Sequence, residues 1–90
     1  MTNETRKTEV LVEHEEKMAL SQAADFLATI AQKLKEEGSF TMTYDGQPFA
    51  ITPSSNVELE VKLEKRNDKM KLELELEWIE GDRGSTLTIE

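Results

Sequence analysis

Residues 57–78 read VELEVKLEKRNDKMKLELELEW. Val57, Leu59, Val61 and Leu63 alternate with charged residues along the first half, and Met70, Leu72, Leu74, Leu76 and Trp78 do the same along the second. Because successive strand side chains point to opposite faces, each half predicts a strand with one apolar and one charged face. Asn67-Asp68 predicts the turn that joins them. With those two residues in the turn, Leu63 faces Leu72, Val61 faces Leu74, Leu59 faces Leu76 and Val57 faces Trp78. A slip of one residue would carry charges onto the apolar side, so the pattern fixes the register. The charged face then sets Glu64 opposite Lys71 and Lys62 opposite Glu73, both attractive. It also sets Glu60 opposite Glu75 and Glu58 opposite Glu77, both repulsive.

Working upstream, Pro53 with Ser54, Ser55 and Asn56 predicts a loop. Before it, Phe40, Met42 and Tyr44 alternate with threonines, Asp45-Gly46 is a two-residue turn signal, and Phe49 and Ile51 resume the alternation. Earlier still, Ala23, Phe26, Leu27, Ile30, Ala31 and Leu34 recur at three-and-four spacing, which predicts a helix over 22–37 with one apolar stripe. Ser21 is the expected N-cap; Ala24 stands where a reciprocal capping box needs Glu or Gln. Gly38 is the expected left-handed terminator. Val10, Val12 and His14 share one face of the stretch 8–16, which predicts a first strand.

The fold class expected from these elements is α+β in two layers. One amphipathic helix packs on a five-stranded, mainly antiparallel sheet, in the order strand, helix, then four strands. Residues 8–80 form the expected single domain, with 1–7 a disordered N-terminus and 81–90 a flexible tail in which Leu87 and Ile89 fray.

Ninety residues suffice for one core, and the 37% hydrophobic and 33% charged shares suit a thin fold with much surface. Nineteen acidic against eleven basic residues give a net charge of -8, and no Lys/Arg cluster stands apart from carboxylates. That disfavours nucleic acid and anionic membrane as partners. Met1 to Lys7 is polar, without the apolar run of a signal peptide, and no stretch approaches the ~18 apolar residues of a membrane span. The expected location is the cytoplasm. There is no cysteine, hence no disulfide and no thiolate chemistry.

The stretch Glu13-His14-Glu15-Glu16, the Ser21-initiated helix ending at Gly38, the Tyr44-Asp45-Gly46 turn and the charged alternation closing on Glu77-Trp78 together resemble the amphi-Trp domain family. The likeness spans roughly residues 10 to 78 and leaves out the tail from Gly81. It implies a small prokaryotic protein with a long amphipathic hairpin ending in Trp, and it carries over no catalytic residue and no cofactor.

Four places invite a functional reading. His14 is the single histidine; on a strand only Glu16 shares its side, so it reads first as a structural residue and second as a ligand or base. Glu58, Glu60, Glu75 and Glu77 gather four carboxylates on one sheet face. A flat face lacks the wrapped oxygens that calcium takes, so they are weak metal candidates on a solvated acidic surface. Trp78, flanked by Val57 and Leu76, reads as a plug on one end of the core, or as an aromatic wall for a ligand or partner. No G-x-S-x-G, Gly-rich phosphate loop, H-E-x-x-H or EF-hand spacing occurs, which argues against an enzyme.

The apolar side of the predicted sheet supplies the strongest expectation. Five strands at ~4.8 Å spacing are about 24 Å across, and a helix is about 10 to 12 Å wide, so an apolar strip stays uncovered. Strips of that kind mark interfaces. The expected function is a non-catalytic module for self-association, most simply a homodimer, or for docking on a partner protein. The alternative is weak binding of a divalent cation or small ligand at the acidic face or the Trp78 end.

Overall fold

A computed structural model describes residues 8–81; the expected disordered N-terminus and all of the expected tail except Gly81 lie outside the described residues. Helix α1 spans Leu20–Glu37. It begins two residues before the predicted start, with Ala19 rather than Ser21 at the N-cap, in extended conformation at φ -67 and ψ 148. A methyl side chain accepts no hydrogen bond, so only half of a capping box forms: the Ala19 backbone N–H donates to Gln22 Oε1 at 3.2 Å. At the other end Gly38 takes the left-handed conformation, φ 73, and its N–H donates to the carbonyls of Leu34 (3.0 Å) and Lys33 (3.1 Å).

Strands β1 (Phe40–Tyr44) and β2 (Gln47–Ile51) form one antiparallel hairpin, and β3 (Glu58–Arg66) and β4 (Lys69–Glu77) form another. Both registers are those the alternation predicts. Phe40 faces Ile51 and Met42 faces Phe49; Leu63 faces Leu72, Val61 faces Leu74 and Leu59 faces Leu76. Asp45 and Gly46 are both left-handed, at φ 55 and 78, which is the geometry that joins two strands with the proper twist. In the second turn Asn67 takes φ 57, a conformation asparagine tolerates better than most residues.

Two expectations are corrected. Among the described residues the five-stranded sheet is not formed: four strands make two separate two-stranded sheets, and β2 does not pair with β3. Between them the chain from Thr52 to Val57 carries Pro53, which has no N–H to give to a ladder, and the Ser54 hydroxyl donates to the Asn56 carbonyl at 3.0 Å, which turns the chain locally. The predicted first strand over 8–16 is also absent, and residues 8–19 are neither helix nor strand. Side-chain contacts place this segment instead. His14 meets Tyr44 edge-to-face at 5.9 Å between ring centroids, and Val12 and His14 line a hollow shared with Phe26, Ile30, Phe40 and Met42.

The helix approaches β1 alone. Ala23, Ile30 and Leu34 on α1 are half-buried, as are Val12, Phe40 and Met42. Phe49 and Ile51 on β2 are half-buried as well, and among the described residues no side chain is fully buried. The long hairpin stands apart from α1 and from the first hairpin.

Candidate interaction surface

The β3–β4 hairpin presents two faces of opposite character. On its apolar face Leu59, Val61, Leu63, Leu72, Leu74 and Leu76 remain 41–67% exposed. Each is placed there by strict alternation with charge, and each meets a cross-strand partner of its own kind. Such pairing costs solvation unless something covers it, since isolated two-stranded hairpins are marginally stable in water.

The charged face is organised around Glu73. Its carboxylate lies 3.2 Å from Lys71 Nζ and 3.6 Å from Lys62 Nζ, and Lys62 also reaches Glu64 at 3.8 Å. The hydrogen bond and charge of Lys71 hold the Glu73 carboxyl below its usual range, and Glu64, followed by Glu73, raises the Lys62 ammonium. Of the two attractive oppositions expected, Lys62 with Glu73 closes as an ion pair. Lys71 sits opposite Glu64 in register but pairs along its own strand with Glu73.

The two repulsive oppositions are both in place, Glu60 across from Glu75 and Glu58 across from Glu77. The Glu60 charge pushes the Glu75 carboxyl up. Among the described residues no three or more His, Cys, Asp or Glu side chains are arranged to hold a metal ion, and these four carboxylates stand as two neighbouring cross-strand pairs on one sheet face.

Trp78 lies one residue beyond β4, and Val57 one residue before β3, so the predicted Val57–Trp78 pair falls just outside the ladder. Trp78 is half-buried between two open hollows. One, of about 690 Å³, is lined by Val57, Leu76 and Ile79 with Glu58 and Glu77; the other, of about 790 Å³, by Leu11, Ile51, Pro53 and Glu80. The indole therefore sits where the long hairpin joins the rest of the chain. Sequence reasoning missed Leu11 and Ile79 as neighbours of Trp78, because neither falls on a predicted apolar face.

His14 is far from this surface, at the hollow beneath α1, and its Nε2 lies 3.0 Å from Glu16 Oε1. That is the carboxylate predicted to share its side, though the pair is exposed and stands alone. Among the described residues no helix is long and apolar enough to cross a membrane.

Taken together, the helix capped by Gly38, the Asp45-Gly46 hairpin and the long amphipathic hairpin closing on Trp78 make this an α+β chain with an exposed apolar face on its longer hairpin. The chain belongs to the Amphi-Trp domain family, which matches residues 5–90 and so extends past Gly81 into the tail that the resemblance left out. No curated protein and no solved structure matches the chain.

Proposed function

We propose that this chain is a non-catalytic interaction module that works by associating through apolar surface, with self-association as its simplest form. The supporting observation is the missing core: among the described residues nothing is buried, while five leucines and Val61 in register line one face of a hairpin of two nine-residue strands. In this reading the charged face is the outward, solubilising one, and the module acts in the cytoplasm without contacting nucleic acid or bilayer.

Molar mass measured by size exclusion with light scattering, over a hundredfold range of concentration, tests the proposal. A mass near twice 10.3 kDa is expected. A compact 10.3 kDa species throughout, with no partner recovered from cell extract, would sink it.

A second reading rests on Trp78, which lies between two hollows ringed by Glu58, Glu77 and Glu80. An aromatic ring beside carboxylates suits a small organic cation. Quenching or a spectral shift of the single tryptophan by such a cation supports this reading, and unchanged emission opposes it.

A further inference from the structure

We infer that the β3–β4 apolar face is covered by the same face of a second copy of this chain, the two hairpins stacking across a two-fold axis near Val61 and Leu74. The inference rests on the self-association reading and assigns its surface.

Area comes first. The six ladder residues, with Val57 and Met70, lie on this one face at 41–67% exposure. At on the order of 100 Å² each, they offer about 800 Å² per protomer, the contribution each partner makes to a stable interface of ordinary size.

Charge decides the orientation. The outer face of the hairpin carries six glutamates, three lysines and one arginine. Two copies meeting through it would have to desolvate ten charged side chains on each side, whereas the inner face bears no charge between Leu59 and Leu63 or between Leu72 and Leu76. The apolar faces can meet with a single charge on their side, Lys65 opposite Met70 beside the turn, where its long side chain reaches solvent past the edge. Stacked about 10 Å apart, they form a four-stranded sandwich whose charged faces both look outward.

Shape supports a second copy over an unlike partner. Leu59, Val61 and Leu63 run antiparallel to Leu76, Leu74 and Leu72, two rows of nearly equal bulk with Val61 and Leu74 at their centre. Such a face is its own complement under a two-fold rotation, which is the requirement of an isologous interface. The other exposed apolar side chains lie elsewhere: Leu20, Phe26 and Leu27 on α1, which does not approach the hairpin, and Val10, Leu11, Met18 and Ile79 outside helix and strands.

The natural absence of cysteine makes the test direct. Leu74→Cys, Lys62→Cys and Leu27→Cys variants of the full chain, treated with a short bis-maleimide, report the inner face, the outer face and the helix shoulder respectively. Covalent dimer from Leu74→Cys, with at least tenfold less from the other two, is the expected result. Leu74→Glu should weaken association at least a hundredfold; should that variant fail to fold, the cross-linking still decides.

A dimer that links through Leu27→Cys or Lys62→Cys and not through Leu74→Cys overturns the assigned surface while leaving self-association standing. A monomer at every concentration overturns both. A monomer that captures an unlike protein through Leu74→Cys overturns the second copy alone.

Discussion

The two hairpins obey the same alternation rule and meet different fates. In β1–β2 five-residue strands carry mixed aromatic and aliphatic residues, and α1 lies over β1, so that Phe40, Met42, Phe49 and Ile51 are all half-buried. In β3–β4 nine-residue strands carry mostly leucine, and every one of the six ladder residues stays exposed. A register fixed by sequence therefore does not create burial. Burial needs a second layer, and an 18-residue helix provides one for the short hairpin only.

The largest test of that contrast is truncation at the centre of the bare face. Removing a covered leucine side chain costs about 2–5 kcal/mol, whereas truncation at an exposed site costs about 0.5 kcal/mol or less. With the face covered by a second copy, Leu74→Ala is expected to fall in the first range in each protomer. Its melting temperature should then drop sharply as the protein is diluted. Thermal melts at two concentrations a hundredfold apart check this, and a melting temperature equal to that of the parent at both would mean that the face stays bare.

Ile30→Ala probes the covered side. Ile30 is half-buried between α1 and β1, so roughly half the cost of a core truncation is expected, about 1–2 kcal/mol. Unlike Leu74→Ala, it should shift the melt equally at all concentrations relative to the parent and leave the mass in solution unchanged. Should Ile30→Ala also dissociate the protein, helix and hairpin would belong to one interface, and the contrast drawn above would fail.

The turns differ too. Gly46 sits at φ 78 with no atom within 4 Å of an added Cβ, so Gly46→Ala meets only the backbone penalty of a left-handed L-residue, about 1–2 kcal/mol. Asn67 already bears that conformation at φ 57, and Asn67→Gly is expected to change stability by only a few tenths of a kcal/mol. Equal effects at the two positions, measured by denaturant unfolding, would show that the turns are not what separates the hairpins.

The sequence displayed whatever depends on neighbours within a hairpin or a helical turn. Both registers, the Asp45-Gly46 turn and the Gly38 stop were legible, because each is decided within one hairpin or one helix end, by residues no more than nineteen positions apart. The family was legible as well, from the long alternation closing on Trp78. The sheet as a whole was not. Whether β2 joins β3, and whether residues 8–16 add a strand, depends on ladder bonds between distant segments that alternation alone does not encode. The helix start was misplaced for a smaller reason: Ser21 has the side chain of an N-cap, yet Gln22 bonds back to the Ala19 N–H and moves the boundary upstream. At the surface, the four glutamates were correctly seen as opposed pairs, while the local pairing of Lys71 with Glu73 depends on flexible side chains that register does not fix.

The smallest expected effect separates the two ends of the charged face. Glu73, with its carboxyl held low by Lys71 and then Lys62, contributes stability that is present above the ordinary carboxylate range and lost as pH falls through its lowered value. Glu75, pushed up chiefly by Glu60, behaves oppositely: its contribution is fully present below the ordinary range and lost as pH rises through its raised value. At neutral pH, Glu75→Gln should therefore raise the melting temperature slightly and remove a shallow decline just above the ordinary carboxylate range. Glu73→Gln should lower the melting temperature at neutral pH and flatten the acid limb. Because all these groups are exposed, both differences should shrink in 0.5 M salt. Melts recorded from pH 3 to 7 at low and high salt check the signs. Identical profiles for the two variants would mean that the ladder's like-charge and opposite-charge ends carry no separate weight, and that only the apolar face distinguishes this hairpin from the first.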